Sequence, residues 1–454
     1  MLPLPNCLVN KPTPAGRTPL LAADAELTRR SYYAATVQRG PGHAALESST
    51  DCDVAIVGGG LAGLSAALEL RQRGLDVVLL EARQVGFGAS GRNGGQAIHG
   101  LACDQATIEA QLGLDDARRV WAMTIEALDL LRFRITQHGI ECDWRDGYLG
   151  LAIGARKGSE LAAWADRIGS VYNYPLQRIG PTELPQWIAS ERFHSGIHDP
   201  RSGHLHPLKY TLGLARGAAE AGVRLHENTP VQAMHPAKLP AGLTTLVTPR
   251  GQVRARQVLL AGNVYLNGLA PTLARRIMPV GTFIACSEPL GAARADALIP
   301  SRSAVCDTNF VLDYFRTTDD QRMLYGGRVS YSTRTPADLA ESMRSRMVQT
   351  FPQLAGVKMD YAWGGFVDIT VNRAPDFGRL PGHSGVYYLQ GFSGHGLALT
   401  GLAGRLVAEA MTGDASRFDV FARLRHRSFP GGALLRTPAL VLGMTWYRLR
   451  DMLG

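Results

Sequence analysis

The apolar residues of the chain first form a regular pattern between positions 52 and 82. The run CDVAIV at 52–57 has the length and composition of a buried strand, and DVVLLEA at 76–82 is a second such run. Between them, 61–73 carries apolar residues at helical spacing and is followed by Gly74, a residue type that commonly ends helices. The pattern therefore predicts a β-α-β unit.

Beyond this unit the pattern alternates between helical and strand-like stretches, without an internal repeat. Helical spacing predicts helices at 104–138, 207–221 and 337–350. Short apolar runs predict strands at 148–153, 223–226, 229–234, 243–247 and 253–260, with more between 277 and 361. A final strand at 386–390 leads through glycines into a helix at 397–411, which repeats the order of strand, glycine turn and helix.

The composition is that of a large folded protein. Of the 454 residues, 45% are hydrophobic, which is enough for two or three domains. The 48 basic and 39 acidic residues are scattered without a basic run, so the net charge of +9 does not indicate a nucleic-acid partner. The six cysteines include no closely spaced pair, which is typical of a reducing compartment, and we expect a cytoplasmic protein.

The two ends of the chain predict less regular structure. Residues 1–30 lack the basic start and continuous apolar region of a secretory signal, and no segment is long enough to span a membrane. Residues 1–49 predict an extended arm, in which SYY at 31–33 indicates an anchored contact. Residues 439–453 predict either a helix docked on its own core or an amphipathic helix in peripheral contact with a membrane.

The run GGGLAG at 58–63, between the first strand and the first helix, has the spacing of a dinucleotide-binding turn. Gly58 allows the tight turn, Gly60 lets the backbone approach a pyrophosphate, and Gly63 lets helix and strand pack closely. Glu81 ends the second strand, where a carboxylate accepts hydrogen bonds from ribose hydroxyls. Because spacing, strand, helix and acid agree, the sequence predicts a site for an adenosine dinucleotide.

Two further glycine-rich segments favour a flavin. GFGASGRNGGQ at 86–96 is too rich in glycine for a core element, and we expect phosphate and the ring system beyond it to order this loop. QGFSGHG at 390–396 precedes a helix, whose N-terminal amides would stabilise the charge that an isoalloxazine gains on reduction. This second turn favours FAD over a nicotinamide cofactor. His395 either helps to hold that charge or caps the turn.

Other polar and aromatic residues are candidates for substrate contact. His204 and His206 share one face of an extended segment, but no nearby group of Cys, His and carboxylate residues completes a metal site, so no metal is expected. Both histidines therefore either pack or contact substrate. Five aromatic residues either line an apolar pocket in front of the flavin or pack in the core. They are Tyr314, Phe315, Tyr325, Trp363 and Phe366.

Taken together, these motifs resemble those of the FAD-dependent D-amino acid oxidase superfamily, and within it the bacterial oxidases of gamma-glutamylputrescine. GASGRNGGQ at 88–96 and QGFSGHG at 390–396 are narrower than the general dinucleotide motif, and SGHLHPL at 202–208 and VLLAGNVYL at 258–266 extend the resemblance over nearly the whole chain. It implies an α/β protein with an α+β substrate part. A glutathione-reductase-like Rossmann FAD domain would be interleaved with a mixed-sheet substrate domain.

The distribution of the motifs over the beginning, middle and end of the chain supports that interleaved order. In chain order the prediction is an N-terminal arm (1–49), a first FAD-binding segment (50–110), a first substrate-domain segment (111–189), a second FAD-binding segment (190–272), a second substrate-domain segment (273–360), a third FAD-binding segment (361–413) and a C-terminal tail (414–454).

The motifs and the resemblance assign a set of residues to FAD, which we expect to be bound without a covalent link. Some sarcosine oxidases attach flavin through a cysteine, but the spacing of Cys306 to Asp313 does not fit that arrangement. The residues assigned to FAD are Gly58, Gly60, Leu61, Ala62, Gly63, Glu81, Ala82, Arg83, Gly88, Ala89, Ser90, Arg92, Asn93, Gly94, Gly95, Gln96, Val231, Ala261, Gly262, Gly391, Ser393, Gly394, His395, Gly396 and Leu397.

The resemblance further implies oxidative deamination of gamma-glutamylputrescine, or of a closely related gamma-glutamyl polyamine, to the aminoaldehyde with ammonia and hydrogen peroxide. A small amine and dioxygen would then be the partners. The predicted catalytic residues are His395, Trp363 and Tyr325. The predicted substrate contacts are His204, His206, Tyr314, Arg328 and Phe366, with Arg328 a candidate partner for the glutamyl carboxylate.

Three other functions remain open at this point. The substrate could be a D-amino acid or an N-methylated amino acid, or the protein could be an amine dehydrogenase that passes electrons to a membrane quinone. Oxygen-using relatives commonly place a lysine over the flavin, and none of the five lysines falls inside the flavin motifs, which leaves the electron acceptor open. A protein of a different class, a flavin binder without turnover, would keep its flavin oxidised with every amine.

Overall fold

The computed structural model describes residues 31–237, 242–266, 268–309, 312–330 and 338–429, with the backbone alone at 328–330. The helices of these ranges vary from a single turn to 24 residues. They are α1 (Tyr32–Ala35), α2 (Leu61–Gln72), α3 (Gln105–Leu112), α4 (Leu114–Gln137), α5 (Ala155–Tyr172), α6 (Pro207–Glu220), α7 (Pro271–Ala274), α8 (Ala292–Leu298), α9 (Leu339–Thr350), α10 (Leu399–Met411) and α11 (Phe418–Ala422).

The strands of the described ranges form two sheets. They are β1 (Thr50–Val57), β2 (Val77–Leu80), β3 (Gln96–Ala97), β4 (Arg145–Ala152), β5 (Gln177–Ile179), β6 (Ser195–His204), β7 (Arg224–His226), β8 (Ala233–His235), β9 (Thr244–Val247), β10 (Gln252–Leu260), β11 (Ile277–Ser287), β12 (Ala304–Asp307), β13 (Tyr314–Thr317), β14 (Met323–Ser330), β15 (Met359–Thr370), β16 (Asp376–Leu380) and β17 (His383–Gln390).

The first sheet contains the predicted β-α-β unit. Its strand order is β16-β17-β10-β1-β2-β7, in which β16 is antiparallel to β17 and the other neighbours are parallel. Strand β9 pairs with β10, and β8 pairs with β9. Because β1 lies between β10 and β2, the chain leaves the carboxyl end of β1 in the middle of the sheet. Open α/β sheets bind ligands at such positions.

The second sheet is mixed. Its order is β15-β11-β14-β13-β12-β4-β6-β3, with β5 paired to β6. All neighbours are antiparallel except β12 and β4, which run parallel. An α/β protein with one largely parallel sheet and one mixed sheet is the predicted fold class, which the structure confirms.

Apolar residues bury both sheets under helices. Leu64 of α2, Leu214 of α6 and Leu402 of α10 belong to one core, which covers one face of the first sheet. A second core covers the second sheet, and there Met343 and Met347 of α9 have no exposed surface. Burial of apolar surface contributes about 25 cal/mol per Å². These cores therefore fix the strands whose ends surround the functional site.

Most of the predicted elements lie where the apolar pattern placed them. The helical stretch 104–138 is two helices, α3 and α4, because Gly113 between them has a φ of +81°. The strand predicted at 229–234 is wrong, since only 233–235 pairs as β8. Thr229 instead donates its N–H to the carbonyl oxygen of Glu81, so this segment crosses the end of β2 as a loop.

The run at 31–33 begins the described chain and is anchored. Ser31 caps α1, and Tyr32 and Tyr33 are only 4% and 0% exposed. Residues 1–30 and the predicted amphipathic stretch 439–453 lie outside the described residues. Within the described ranges, no helix is long and apolar enough to cross a membrane.

Strand membership differs from the predicted domain boundaries at three strands. The short strand β3 falls within 50–110, a predicted FAD-binding segment, but it pairs with β6 in the second sheet. Strand β6 falls within 190–272, a predicted FAD-binding segment, but it pairs with β4 in the second sheet. Strand β15 continues past 361, where the third FAD-binding segment was predicted to begin, and it pairs with β11 along nearly its whole length. We therefore propose that the interleaved segments change over near 205 and 371.

Candidate active site

A cavity of about 890 Å³ is lined by residues from both sheets. The carboxyl ends of β1 and β2 contribute Val57 and Leu80, and the turn after β10 contributes Ala261. The second sheet contributes residues of β11, β13 and β15. Ligand pockets commonly enclose about 300–1,000 Å³. This cavity is near the upper end of that range, as a site for a large cofactor and a small substrate requires.

The turn between β1 and α2 forms one wall of the cavity. Gly58 has a φ of +116°, and a Cβ at this position would lie 2.6 Å from the carbonyl oxygen of Ala261. A Cβ at Gly63 would lie 2.0 Å from the carbonyl oxygen of Gly58, so the helix reaches the strand only with glycine here. Gly60 precedes the first helical residue. The first-turn N–H groups of a helix have no intrahelical partner and suit an anion such as a pyrophosphate.

Glu81 follows β2, and its carboxylate lines the cavity beside the glycine turn. Its two oxygens accept hydrogen bonds from the N–H groups of Gly59 and Arg83, at 2.7 and 2.8 Å. Burial raises the pKa of Glu81. Because a carboxylate can accept about four hydrogen bonds, both oxygens keep acceptor capacity for the hydroxyls of a ribose.

The loop 86–96 is fixed by its own side chains. Ser90 Oγ accepts a hydrogen bond of 2.9 Å from Leu61 N–H at the start of α2. The Asn93 amide donates to the carbonyl oxygens of Ala89 and Ser90, and its oxygen accepts from Gly95 N–H at 2.8 Å. These bonds hold the loop against the glycine turn and present its backbone to the cavity.

Tyr314 of β13 lies on the cavity wall in a slot between two glycines. A Cβ at Gly94 would lie 2.6 Å from Tyr314 Cε2, and a Cβ at Gly326 would lie 2.1 Å from Tyr314 Cζ. Gly326 is also the cross-strand partner of Tyr314 in β14. Both glycines are therefore needed for the orientation of the ring. Burial raises the pKa of the Tyr314 phenol, so the hydroxyl stays protonated and can donate a hydrogen bond.

The turn 390–396 closes the cavity before α10. Gly391 and Gly394 have φ values of +78° and +84°, which favour glycine. Gly391 N–H donates to the carboxylate of Asp368, and Ser393 N–H donates to the Asp368 carbonyl oxygen at 3.0 Å. Asp368 thus holds the turn through both its side chain and its backbone.

His395 lies in this turn as a neutral ring. Its Nε2 is 2.9 Å from the carbonyl oxygen of His99, and because a carbonyl only accepts, Nε2 carries the proton. Burial lowers the pKa of His395 to about 4. A ring that is uncharged at neutral pH and bonded to the backbone supports the turn-capping role rather than the charge-holding one.

Several cavity residues were not predicted from the sequence, and Asp368 is the most informative. It is 2% exposed, and burial raises its pKa to about 7. Its carboxylate also bonds the side chain of Asn263, which lines the cavity as do Thr282 and Gly365. The signal in the sequence was an acid inside the apolar run WGGFVDIT at 363–370.

Asp368→Asn should flatten the pH dependence of stability between pH 4 and 7. The folded pKa of Asp368 lies above the ordinary value of 3.8, so the folded state binds the proton more tightly and loses that stabilisation as the pH rises towards 7. One such group changes the free energy of unfolding by up to about 1.4 kcal/mol per pH unit. Urea unfolding of the protein with FAD in fixed excess, at pH 5 and 7, measures the difference.

Asp115→Asn is the matched control for this prediction, because Asp115 has a 99% exposed side chain on α4. It should keep the wild-type pH dependence. An equal pH dependence in Asp368→Asn and wild type would contradict the assignment of the buried proton to Asp368.

Most of the residues predicted for FAD line the cavity. They are Gly58, Gly60, Leu61, Ala62, Glu81, Ala82, Gly88, Ala89, Ser90, Arg92, Asn93, Gly94, Gln96, Val231, Ala261, Gly262, Ser393, Gly394, His395, Gly396 and Leu397. Gly63, Arg83, Gly95 and Gly391 do not line it, and an added Cβ at any of the three glycines would meet neighbouring atoms. Gly95, for example, has a φ of +77° and a Cβ there would lie 2.2 Å from the Leu205 carbonyl oxygen. The glycine turn, the carboxylate beside it and the second turn together fit FAD.

Two predicted catalytic residues lie outside the cavity lining. Trp363 is 1% exposed and donates its indole N–H to the carbonyl oxygen of Arg92 at 2.9 Å, so it supports the loop 86–96 from behind. Tyr325 is fully buried, stacks on Phe315 and bonds Thr350 Oγ1 at 2.8 Å. Side chains alternate between the two faces of a strand, and Tyr325 occupies the face under α9. These positions do not support the predicted catalytic role of either residue.

The histidines predicted for substrate contact are also outside the cavity lining. His204 Nε2 donates to the Arg302 carbonyl oxygen at 2.8 Å. His206 Nδ1 accepts from Lys209 N–H and caps α6, and its Nε2 lies 3.1 Å from Thr36 Oγ1. Burial lowers the pKa of both rings to about 3. Both histidines are neutral structural groups, which corrects the prediction of substrate contact.

Phe366 and Arg328, the remaining predicted contacts, differ in what the structure describes. Phe366 is 1% exposed in the core under α9 and does not line the cavity, so it too is a packing residue. The backbone of Arg328 pairs with Phe283 in β11, and its side chain lies outside the described atoms. Of the four predicted substrate contacts whose side chains the structure describes, Tyr314 is the one that reaches the cavity wall.

Two cysteines line the cavity, and both are protonated. Cys306 is buried and its thiol donates to Gln96 Oε1 at 2.9 Å. Burial raises the pKa of Cys306, and it raises the pKa of Cys103 to about 12. Since the thiolate is the nucleophilic form of cysteine, neither thiol is activated for attack on a bound group.

Comparison with known sequences gives a match over most of the chain. The family model for FAD dependent oxidoreductases matches residues 53–410. Gamma-glutamylputrescine oxidoreductase of Escherichia coli (strain K12) is 43% identical over 426 residues, which cover 93% of this chain and 98% of that protein. A probable oxidoreductase of Haemophilus influenzae is 39% identical over 427 residues, which cover 93% of this chain and 97% of the relative.

Comparison with solved structures gives the same architecture at lower identity. Glycine oxidase from Geobacillus kaustophilus superposes with a TM-score of 0.67 at 22% identity, over 80% of this chain and 95% of that one. L-proline dehydrogenase from P. horikoshii superposes with a TM-score of 0.69 at 21% identity, over 84% and 98% of the two chains. At this identity the two structures establish a shared fold and nothing finer.

Proposed function

The chain belongs to the FAD dependent oxidoreductase family, and from that premise we propose that it oxidises gamma-glutamylputrescine or a closely related gamma-glutamyl polyamine. It is an oxidoreductase that acts on CH–NH groups. The observation that carries the proposed substrate is 43% identity, over 93% of the chain, to a protein named gamma-glutamylputrescine oxidoreductase. The products would be the aminoaldehyde, ammonia and hydrogen peroxide.

The proposed reaction removes a hydride from the carbon next to the amine nitrogen and a proton from the nitrogen. The resulting imine adds water and releases ammonia, and dioxygen takes up the two electrons and two protons as hydrogen peroxide. FAD supplies the hydride acceptor when it is bound. The protein has to place the amine carbon, exclude water and favour the uncharged amine, which needs no covalent nucleophile from the chain.

The cavity walls support those three tasks. Tyr314 offers a neutral phenol in a fixed orientation, so it can position the substrate by a single hydrogen bond. Val280 of β11 and Leu312, which precedes β13, are apolar residues of the lining, and apolar surroundings disfavour the charged form of an amine. Gly365 of β15 leaves the cavity open beside Arg92, since its Cβ position lies 3.6 Å from that side chain.

The electron acceptor is the point on which a second candidate depends. None of the described residues that line the cavity is a lysine, and the resemblance associates such a lysine with reaction of the reduced flavin with oxygen. This observation favours an amine dehydrogenase as the alternative. Peroxide formation and dye reduction separate the two, because a dehydrogenase reduces the dye quickly and forms peroxide slowly.

We propose that FAD is held without a covalent bond. The protonated thiols of Cys306 and Cys103 support this, because neither presents a thiolate to the flavin. Cys306→Ala should therefore keep FAD, and acid precipitation of both wild type and variant should leave the flavin in the supernatant. Flavin that stays with the precipitated wild-type protein, and is released from the variant, would overturn this assignment.

The proposed function is tested by mixing the protein without air with gamma-glutamylputrescine, putrescine, D-alanine and sarcosine separately. Rapid bleaching of the flavin by the glutamylated amine alone is the expected result, and admission of air then separates oxidase from dehydrogenase by peroxide. Bleaching by another compound would keep the enzyme class and replace the substrate. Flavin that stays oxidised with all four would contradict the substrate and favour a binder without turnover.

We also propose that the protein works in a reducing compartment such as the cytoplasm. Its described cysteines, Cys52, Cys103, Cys142, Cys286 and Cys306, are free and buried. Peripheral contact with a membrane through 439–453 is a prediction that falls outside the described residues.

A further inference from the structure

The N-terminal helix α1 packs against two residues, Trp363 and Arg316, that hold the flavin loop 86–96 from behind. The family model matches residues 53–410, and α1 precedes this range. Within α1, Tyr33 has no exposed surface. A tyrosine that is completely buried in a single-turn helix indicates a packing role with a specific target.

Tyr33 reaches the loop through Trp363. The two rings meet edge to face, with centroids 5.2 Å apart and an interplanar angle of 70°. The Trp363 indole N–H donates to the carbonyl oxygen of Arg92 at 2.9 Å. Because indole has a single donor, this bond exists only in one orientation of the ring. The ring of Tyr33 supports that orientation.

Tyr33 reaches the same loop a second time through Arg316. The Tyr33 hydroxyl accepts a hydrogen bond of 3.1 Å from Arg316 Nη2. Arg316 Nε donates to the carbonyl oxygen of Gly94 at 2.9 Å, and Nη2 also donates to that of Leu205 at 3.0 Å. Arg316 is 3% exposed, so its guanidinium depends on these acceptors.

These two contacts meet on either side of Asn93. One fixes the carbonyl of Arg92, and the other fixes the carbonyl of Gly94. Asn93, Arg92 and Gly94 all line the cavity assigned to FAD. The position of the loop backbone in the cavity therefore depends on a residue of α1 that does not line the cavity itself.

Helix α1 is in turn held in place from its other side. His206 Nε2 donates to Thr36 Oγ1, and the ring centroids of His206 and Tyr33 are 4.7 Å apart. The Tyr32 hydroxyl donates to Asp320 Oδ1 at 2.6 Å. These bonds fix α1 as a rigid support.

We propose that Tyr33 is a positioning residue for FAD, which sets the backbone of the flavin loop through Trp363 and Arg316. The N-terminal segment is thereby part of the cofactor site. The proposal uses only the assignment of the cavity to FAD, and it does not depend on which amine the protein oxidises.

Tyr33→Phe tests the proposal, because it removes one oxygen and keeps the ring against Trp363. We expect the dissociation constant for FAD to rise about tenfold, which corresponds to about 1.4 kcal/mol. The shape of the long-wavelength flavin absorption band and the flavin midpoint potential should move as well, since the loop that touches the flavin shifts. Titration of flavin-stripped protein with FAD, followed by a potentiometric titration of the loaded protein, measures these effects.

Tyr32→Phe is the matched control. It removes a hydrogen bond from the adjacent residue of the same helix, but its partner Asp320 does not contact the loop. The control should change the FAD dissociation constant by less than about twofold and leave the spectrum and potential as in wild type. A lower thermal midpoint in both variants, with unchanged FAD affinity, spectrum and potential in Tyr33→Phe, would overturn the proposal.

Arg316→Lys provides a second measurement that keeps the buried positive charge. Lysine cannot bridge the Tyr33 hydroxyl and the Gly94 carbonyl with a planar fork, so FAD affinity and spectrum should move in the same direction as in Tyr33→Phe. Wild-type values in Arg316→Lys would count against the proposal even if Tyr33→Phe failed to fold. Failure of the amine assay affects none of these measurements. The role of Tyr33 and the proposed substrate can therefore each be contradicted without the other.

Discussion

Gly60→Val is expected to give a folded protein that does not bind FAD. A Cβ at Gly60 would lie 2.8 Å from Ser90 Oγ, the atom that accepts the hydrogen bond from Leu61 N–H. The valine methyl groups would then stand at the start of α2, where a pyrophosphate needs close contact with the backbone. We expect the affinity for FAD to fall at least about 100-fold, or about 2.7 kcal/mol, and the purified protein to be colourless. The ratio of flavin to protein absorbance measures this directly.

The control for this experiment is Gly356→Val. A Cβ at Gly356 meets no atom within 4 Å, and the residue lies outside the cavity lining. This variant should carry flavin as wild type does. A Gly60→Val protein of full yellow colour would contradict the assignment of the 58–63 turn to the pyrophosphate.

Gly326→Ala is expected to keep FAD and lose amine oxidation. The added Cβ would lie 2.1 Å from Tyr314 Cζ, so the ring cannot stay in its slot. Gly326 belongs to β14, does not itself line the cavity, and is not part of the turns at 58–63 and 390–396. We expect kcat/KM to fall about 100-fold, which corresponds to about 2.7 kcal/mol, with FAD affinity unchanged within about threefold. Anaerobic flavin reduction by the amine, over a range of substrate concentration, gives the measurement.

Two companion variants show whether Tyr314 is responsible for that loss. Gly326→Ala with Tyr314→Ala removes the clash, so its thermal midpoint should return towards wild type while activity stays low. Tyr314→Phe keeps the ring and removes the hydroxyl, which isolates the hydrogen bond to substrate. Near-normal turnover in both Gly326→Ala and Tyr314→Phe would show that Tyr314 does not position the substrate.

The glycine motifs could be predicted from the sequence because neighbouring residues of the chain set the backbone angles and close contacts that require glycine. The φ of Gly58 and the contact of Gly63 with the Gly58 carbonyl follow from a strand that turns directly into a helix. The same reasoning placed the turn at 390–396, where Gly391 and Gly394 adopt left-handed backbone. A short spacing between glycines, next to a clear apolar run, carries this information without knowledge of the rest of the fold.

The residues that contact substrate could not be predicted in the same way, because their identity depends on which face of a strand lines the cavity. Tyr314 and Tyr325 are both aromatic residues of neighbouring strands, but Tyr314 faces the cavity and Tyr325 faces α9. Strand β6 was not predicted because SGIHDPRSGH at 195–204 is largely polar, and its last residue, His204, has a structural position. The role of Asp368 could not be predicted because the sequence does not show that its strand, β15, ends beside the turn at 390–396.

The order of the strands in the first sheet also has a consequence for biosynthesis. Val57 of β1 pairs with Leu260 of β10, and Leu260 pairs with Tyr388 of β17, so each neighbour lies far along the chain. Ribosomes add about 5–20 residues per second, and β17 therefore follows β10 by on the order of ten seconds. During that interval a nascent chain exposes the edge of β10 at 258–260 and lacks the turn at 390–396, which forms part of the cavity wall. We therefore expect flavin to be loaded in the last stage of translation or after release of the chain.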